Sequence, residues 1–196
     1  GASMAILRRT LLSVVLASPA IAAPADTTRA ERSMGSPEAR LTSIECFSLT
    51  CPHCADFALK SLPELKARWI ASGMLRWVFY DFPTDVAALQ AAMVARYLPP
   101  EQYEPFIDTL FAQQDHWVFG AGSVPDALWA LAKDAGMARP TFEQALSDDG
   151  LRDWIVGRAL DAQRRWHVDA TPSFVINGRL YTGALSATEF ATILAS

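Results

Sequence analysis

The segment Cys51-Pro52-His53-Cys54 constrains this chain more than any other feature of its sequence. It follows a strand-like run from Leu41 to Phe47, and it precedes an apolar helical run that begins at Phe57. Two cysteines separated by two residues, between a strand and a helix, are typical of a redox-active dithiol. The arrangement therefore favours thiol–disulfide exchange as the chemistry of the chain.

The position of the motif also predicts an unequal pair of thiols. Pro52 suits the first turn of a helix, because its missing N–H has no partner there in any case. Cys51 then lies at the helix N-terminus, where free N–H groups and the helix dipole stabilise a thiolate. A protonated His53 would add a positive charge nearby. Because the thiolate is the attacking and leaving form in exchange, its stabilisation favours the dithiol and makes the disulfide a stronger oxidant.

Two other functions of a Cys-x-x-Cys motif stay open. A zinc site needs four ligands, and the sequence offers only Cys46 and the isolated His116 and His167 besides the motif. A copper-handling role for the reduced thiols belongs to the same class. An inert structural disulfide would close a very short loop and therefore stabilise little.

Composition limits the class of protein. The chain has 196 residues, of which 51% are hydrophobic, so it can form one domain with a substantial core, with or without an insertion. Its formal net charge is -4 and it has no basic stripe, so nucleic acid is not an expected partner.

The first residues are predicted to be processed rather than folded. Gly1-Ala2-Ser3 looks like an expression scar, and the following residues read as a secretory signal peptide. The signal has Arg8-Arg9, an apolar run from Leu11 to Ala17, and the small-x-small cleavage pattern Ala20-Ile21-Ala22. We therefore assign residues 1–22 to the scar and the signal, which would deliver the dithiol to an oxidising compartment. A retained anchor is the alternative, although the apolar run is too short to span a bilayer.

The rest of the chain divides by its hydrophobic period. Residues 23–36 are polar and are predicted to be a tail or linker. Strands are predicted at residues 41–47 and 75–82, joined by a helix to about Ser72 that Pro63 should kink. From residue 84 to residue 169 the period is helical, with a break at Pro99-Pro100.

The C-terminal residues return to strand. Asn177-Gly178 is a strong signal for a type I′ turn between strands at residues 173–176 and 179–182. Ser186 followed by Glu189 forms a capping box for a last helix that ends near Leu194. The pattern predicts an α/β fold interrupted by a block of helices.

Two residues of the first predicted strand need an interpretation. Glu45 is either a solvated strand carboxylate or a buried acid beneath the dithiol that helps to move the proton of Cys54. Burial would raise its pKa and mark it as a functional candidate. Cys46 is interpreted as a small buried apolar residue and not as a third redox partner.

Three segments together resemble the DsbA family of bacterial periplasmic thiol:disulfide oxidoreductases. They are Gly35 to Ala39, the run Ile44 to Ser48 leading into Cys-Pro-His-Cys, and the run Thr171 to Gly178. The resemblance covers about residues 35–196. It implies a thioredoxin-like fold built from residues 37–83 and 170–196, with an inserted all-helical domain at residues 84–169.

The resemblance also implies the roles of the site residues. Cys51 would be the exposed nucleophile and Cys54 its buried partner, with Pro52 and His53 tuning their redox behaviour. Glu45 matches the family's buried acid by its spacing before the motif. The family's oxidases pair that acid with a lysine on the neighbouring strand.

Two further implications concern the substrate and the proton path. Pro172 would be the cis-proline that faces the disulfide, and the backbone of Thr171 would pair with an extended substrate chain. The strand expected to carry the lysine offers only Arg76, so the proton path would differ from that of the familiar oxidases.

These inferences lead to one predicted function. The chain is expected to be a periplasmic protein disulfide oxidase that donates its Cys51–Cys54 disulfide to secreted proteins. The resemblance implies reoxidation by a DsbB-like, quinone-linked membrane protein, no metal or organic cofactor, and a monomer. A reductase or isomerase for selected partners is the alternative within enzymes, and a metal- or copper-handling dithiol module is the alternative outside them.

Overall fold

A computed structural model describes residues 27–195 of the chain. The predicted scar and signal peptide at residues 1–22 lie outside the described residues, as do residues 23–26 of the predicted tail. Within the described range, no helix combines the length and the apolar character that crossing a membrane requires.

A mixed sheet lies at the centre of the fold, and the described residues contribute five strands to it in the order β1-β3-β2-β4-β5. The strands are β1 (Arg32–Met34), β2 (Leu41–Phe47), β3 (Leu75–Asp81), β4 (Ser173–Ile176) and β5 (Arg179–Thr182). β2 and β3 are parallel, and the other neighbouring pairs are antiparallel. The carboxyl end of β2 therefore lies beside the amino end of β4, and the Cys-x-x-Cys motif follows at that edge.

The helices occur in three groups along the chain. After β2 come α1 (Pro52–Asp56), a π-helical segment (Phe57–Ser61), α2 (Leu62–Leu65) and a second π-helical segment (Lys66–Ile70). Between β3 and β4 lie α3 (Val86–Tyr97), α4 (Pro100–Ala112), α5 (Gln114–Trp117), α6 (Val124–Asp134), α7 (Arg139–Ser147) and α8 (Asp149–Trp166). The last helix is α9 (Ala187–Leu194), which begins with the predicted capping box.

The helix after the motif accommodates Pro63 by widening. A proline in a helix removes one main-chain hydrogen bond and clashes with the preceding turn. Here the N–H of Leu62 bonds to the carbonyl of Phe57, five residues back, which is the π-helical pattern. Pro63 consequently lies in the first turn of α2, where its missing N–H matters least.

The prediction of a tail at residues 23–36 is wrong for its last part, because Arg32–Met34 forms β1. This edge strand is held by main-chain pairing with β3, so it needs no apolar alternation of its own. Arg32 is buried, its guanidinium donates to the Arg96 carbonyl at 3.2 Å, and it lies 5.3 Å from the centre of the Tyr103 ring. A three-residue strand with a buried arginine leaves no periodic signal in the sequence.

An aromatic cluster joins the motif helix and α9 to one face of the sheet. The rings of Phe57 and Trp77 are stacked with their centres 5.7 Å apart. Phe174 of β4 lies 4.6 Å from Phe57, and Phe190 of α9 lies 5.4 Å from Trp77. These contacts fix the motif helix on the sheet and therefore fix the height of Cys54 above β2.

The opposite face of the sheet is covered by α8. Cys46 and Tyr80 pack there against Ala162 of this helix, whereas Leu151 and Ile155 in its first half belong to the larger core. The range predicted as the insertion, residues 84–169, therefore includes a helix that forms one layer of the sheet domain. Period alone cannot separate such a helix from the insertion before it, because both are amphipathic.

A buried ion pair connects the insertion to the sheet. Arg96 Nε donates to Asp81 Oδ2 at 2.6 Å, and the hydroxyl of Tyr103 donates to Asp81 Oδ1 at 3.1 Å. Arg96 Nη1 also donates to the carbonyl oxygens of Thr28 and Ala30, both at 3.0 Å. The Asp81 carboxylate thus links the end of β3 to helices α3 and α4, and Arg96 extends the link to the segment that precedes β1.

We expect Asp81→Asn to lower the free energy of unfolding by about 3 kcal/mol, because it leaves the buried Arg96 charge without its counter-ion. Urea unfolding of the reduced protein at pH 7 measures this loss. Asp134→Asn is the matched control, since Asp134 is exposed, and it should change stability by less than about 0.5 kcal/mol. Equal stability of the two variants would show that the Asp81 pair does not hold the insertion.

Candidate active site

The motif lies where β2 passes into α1, and its two thiols have different surroundings. Cys51 is the N-cap residue of α1, with φ −80° and ψ 119°, and Pro52 occupies the first turn. Cys51 is partly exposed, whereas Cys54 has no exposed surface. Both are free thiols. The predicted division into an accessible and a buried cysteine therefore matches the burial of the two residues.

The surroundings of Cys51 favour its thiolate. Its pKa is lowered to about 5, first by a hydrogen bond from the Cys54 thiol, with burial acting in the opposite direction. The Thr171 side chain and the backbone N–H groups of Cys54 and His53 lower the pKa further. The helix N-terminus thus acts on the sulfur as the sequence predicts. The exposed His53 contributes here through its main chain.

Cys54 shows the opposite behaviour. Burial raises its pKa far above the ordinary value of a thiol, and the hydrogen bond and the charge of Cys51 raise it further. A Cys54 thiolate is therefore a high-energy species in this site. Any reaction that releases the sulfur of Cys54 needs a proton close by.

The segment before β4 faces the reactive sulfur. The Cys51 thiol donates to the carbonyl oxygen of Thr171 at 3.4 Å. The peptide bond between Thr171 and Pro172 is cis, as the family resemblance implies, and Pro172 is buried. The structure therefore brings Thr171 and Pro172 together with Cys51 across a sequence separation of 120 residues.

Glu45 is a buried acid and not a solvated strand carboxylate. It is 2% exposed, and burial raises its pKa to about 8. Its Oε2 accepts a hydrogen bond from Trp77 Nε1 at 3.0 Å, which lowers the pKa in part. Its other oxygen, Oε1, is buried and has no hydrogen-bond partner among the described residues. Its charge acts on Cys54 and raises the pKa of that thiol.

Trp77 is the partner that sequence reasoning missed. The resemblance implies a lysine on β3, where the sequence has Arg76, but the partly exposed Arg76 bonds to Glu31. Adjacent strand residues point to opposite faces, and the register places Trp77 on the face of Glu45. Strand alternation therefore points to Trp77 when neutral hydrogen-bond donors are counted as possible partners of the acid.

Cys46 lies outside this site. It is fully buried and packs beside Tyr80 on the other face of the sheet, where burial raises its pKa to about 12. Its interpretation as an apolar core residue is confirmed. Within residues 27–195, no group of three or more His, Cys, Asp or Glu side chains could hold a metal ion.

The loop before Cys51 is supported by the insertion. The hydroxyl of Thr50 donates to Asp85 Oδ2 at 2.5 Å, and Asp85 Oδ1 accepts the Ala88 N–H at 2.8 Å as the N-cap of α3. Asp85 is not among the site residues that the sequence predicts. A capping signal at the start of α3 could predict its local role, but not its contact with Thr50.

Comparison with known proteins places the chain in a family. The family model described as Thioredoxin matches residues 27–196. The chain therefore belongs to the thioredoxin family. Curated relatives include a Rickettsia bellii protein named as a protein-disulfide oxidoreductase, which is 27% identical over 146 residues. That match covers 74% of this chain and 56% of the relative, so the chain spans little more than half the length of this relative.

Solved structures narrow the resemblance to DsbA proteins. The α-DsbA1 structure of Wolbachia pipientis is 27% identical, with a TM-score of 0.78 over 85% of this chain and 89% of that chain. A protein-disulfide isomerase structure from Novosphingobium aromaticivorans is 25% identical, with a TM-score of 0.71 over 84% of this chain and 96% of that chain. The predicted thioredoxin-like fold with a helical insertion and the resemblance to DsbA are confirmed.

The raised pKa of Glu45 predicts a pH-dependent effect on stability. Its folded pKa of about 8 exceeds the ordinary 4.5, so its contribution is complete below pH 4.5 and is lost as the pH rises through 8. Reduced Glu45→Gln should therefore match the native protein near pH 4.5 and exceed it by several kcal/mol above pH 8, since one pKa unit is about 1.4 kcal/mol.

Urea unfolding of both reduced proteins across this pH range measures the difference directly. Glu64→Gln, at an exposed position of the motif helix, serves as the control and should show no such trend. A stability difference for Glu45→Gln that stays constant from pH 4.5 to pH 8 would contradict a buried, protonated acid.

Proposed function

We propose that this protein is a thiol:disulfide oxidoreductase that donates its Cys51–Cys54 disulfide to secreted substrate proteins. The observation that carries the proposal is the opposite shift of the two thiols, with the pKa of Cys51 lowered to about 5 and that of Cys54 raised. Stabilising the Cys51 thiolate stabilises the reduced protein, so the disulfide form gives up its bond readily. The similarity to DsbA structures supports the same direction.

The reaction follows from the accessibility of the two sulfurs. A substrate thiolate attacks Sγ of Cys51, which forms a mixed disulfide and releases Cys54 as a thiolate that takes up a proton. A second substrate thiolate then attacks the substrate sulfur of the mixed disulfide, and Cys51 leaves as its stabilised thiolate. The substrate gains one disulfide and loses two electrons, and the protein gains both electrons as the dithiol.

Glu45 supplies the proton that the first step needs. Its pKa of about 8 keeps it protonated at neutral pH, and its charge state is coupled to that of Cys54. Protonation of the released Cys54 by Glu45 would leave a carboxylate that the Trp77 N–H stabilises. Reoxidation of the dithiol reverses the transfer, so Glu45 accepts the proton of Cys54.

The main chain around Thr171 offers a place for the substrate. Its carbonyl lies 3.4 Å from the Cys51 sulfur. The carbonyl and N–H groups of Thr171 are suited to pair with an extended peptide, in the manner of strand addition. Such pairing would orient a substrate cysteine at Cys51 without reading the substrate's sequence, which suits a donor that acts on many unfolded proteins.

The cellular setting is part of the same proposal. The signal-like sequence at residues 1–22 supports export to the periplasm, where disulfides persist. A disulfide donor must be reoxidised after each cycle. The resemblance to DsbA supports a DsbB-like, quinone-linked membrane protein as the oxidant, and a monomeric donor.

An isomerase is the second candidate, and the similarity to the Novosphingobium protein-disulfide isomerase structure favours it. Two assays separate the functions. A disulfide donor oxidises reduced, unfolded ribonuclease stoichiometrically, whereas an isomerase restores activity to scrambled ribonuclease and needs the reduced dithiol. We expect the rate of ribonuclease oxidation to exceed the rate of scrambled-ribonuclease reactivation, per mole of this protein, by at least about tenfold.

Variants of the three cysteines test the mechanism in the oxidation assay. Cys51→Ala should abolish disulfide transfer, because the motif disulfide can no longer form and the two remaining thiols are buried. Cys54→Ala should transfer no disulfide. If its Cys51 is first converted to a mixed disulfide with a small thiol, it should hold the substrate as a mixed disulfide on Cys51. Cys46→Ala is the matched control and should retain transfer, since Cys46 lies on the other face of the sheet. Transfer by Cys51→Ala would eliminate the proposal.

The side chain of His53 should act through its charge. His53→Ala keeps the main-chain N–H on the Cys51 sulfur but removes the exposed side chain, and with it any positive charge beside the thiolate, so the thiolate pKa should rise. Because the charge is exposed, 1 M salt should remove most of the difference from the native protein. Absorbance titration of the thiolate at low and high salt measures both shifts. An unchanged pKa at low salt would exclude a role for the imidazolium.

A further inference from the structure

Gln114 of the helical insertion forms hydrogen bonds with the main chain at and near Cys51. This residue begins α5 and is 5% exposed. Its Nε2 donates to the carbonyl oxygen of Leu49 at 2.7 Å and to that of Cys51 at 3.1 Å. Both acceptors belong to the loop between β2 and α1, so one side chain bridges the two ends of Leu49-Thr50-Cys51.

The chemistry of these contacts requires an amide. Both partners are carbonyl oxygens, which only accept hydrogen bonds, so the NH₂ end of Gln114 must face them. An NH₂ group has two hydrogens, and here each has one acceptor. Glutamate could not make both bonds, and a methionine of the same length could make neither.

Gln114 is itself held in place. Trp117, one turn further along α5, is buried and donates from Nε1 to the carbonyl of Leu110 in α4 at 2.8 Å. A second part of the insertion holds the same loop, because Asp85 accepts the Thr50 hydroxyl at 2.5 Å. The three residues that end in the nucleophile are therefore held from two sides by anchored elements.

The orientation of the Cys51 main chain determines which hydrogen-bond donors its sulfur contacts. The Cys51 carbonyl also accepts the Ala55 N–H at 3.2 Å, which closes the first turn of α1. The sulfur of the same residue receives the N–H groups of His53 and Cys54. A rotation of this peptide would move the sulfur away from those donors, and Gln114 opposes that rotation. Its N–H also offsets the partial negative charge of the Cys51 carbonyl.

We propose that Gln114 is a positioning residue, which holds the Cys51 main chain so that the sulfur stays on the helix N–H groups and thereby sets the reactivity of the nucleophile. The inference rests on the proposed function, because it concerns the same thiolate. It gives the helical insertion a part in the chemistry of the site, carried by a residue that lies 63 positions beyond Cys51 in the chain.

The test compares Gln114→Met with Gln113→Met in the reduced, full-length protein. Gln113 is the preceding residue, and its side chain makes no hydrogen bond with the motif loop among the described contacts. Thiolate absorbance against pH gives the pKa of Cys51, and circular dichroism checks the fold. We expect the thiolate pKa to rise by about one unit in Gln114→Met, a tenfold fall in the thiolate fraction at pH 4, and to stay unchanged in Gln113→Met.

Gln114→Asn carries the test if the methionine variant does not fold. It keeps a polar amide in the buried position but is one methylene shorter, so it cannot reach both carbonyls, and the thiolate pKa should again rise. A folded Gln114 variant with the native thiolate pKa overturns the inference. A native protein whose Cys51 titrates like an ordinary thiol overturns the proposed function instead, so the two failures are distinguishable.

Discussion

The site depends above all on the stabilisation of a negatively charged sulfur, that of Cys51, at the start of α1. The Cys51 thiolate is stabilised by the Cys54 thiol and two backbone N–H groups in the first turn of α1, and by Thr171 just before β4. None of these donors carries a full charge, so the stabilisation comes from orientation. The aromatic cluster fixes the helix and the cis peptide bond lies opposite the sulfur, while the insertion holds the preceding loop.

The protonation of Glu45 is also determined by its surroundings. A buried carboxylate is costly when one of its oxygens has no hydrogen-bond partner among the described residues, so Glu45 stays protonated to about pH 8. Trp77 gives it one neutral donor, which orients the group without removing the proton. A charged partner would have favoured the carboxylate and lowered the pKa. The neutral pair therefore keeps Glu45 protonated at neutral pH, and the charge of Glu45 acts on Cys54, the thiol of the site that cannot easily stay ionised.

Much of this arrangement could be predicted from local sequence patterns. The Cys-x-x-Cys motif, the Asn177-Gly178 turn and the Ser186 capping box each identify their element, because each depends on neighbouring residues. The patterns failed where the determining contact is distant. β1 forms by pairing with β3. Trp77 of β3 donates to Glu45 of the adjacent strand β2, and Gln114 of the insertion donates to the Cys51 carbonyl. Such contacts leave no period or spacing in the sequence.

The equilibrium reduction potential of the Cys51–Cys54 pair tests the central claim most directly. It is measured against glutathione buffers on the protein without residues 1–22, with Cys46→Ala to restrict the reaction to the motif. Stabilisation of the Cys51 thiolate predicts a potential well above that of the glutathione pool, since a tenfold shift in the equilibrium is about 30 mV for two electrons. A potential near that of thioredoxin, about −270 mV, would contradict the account and indicate a reductase on the same fold.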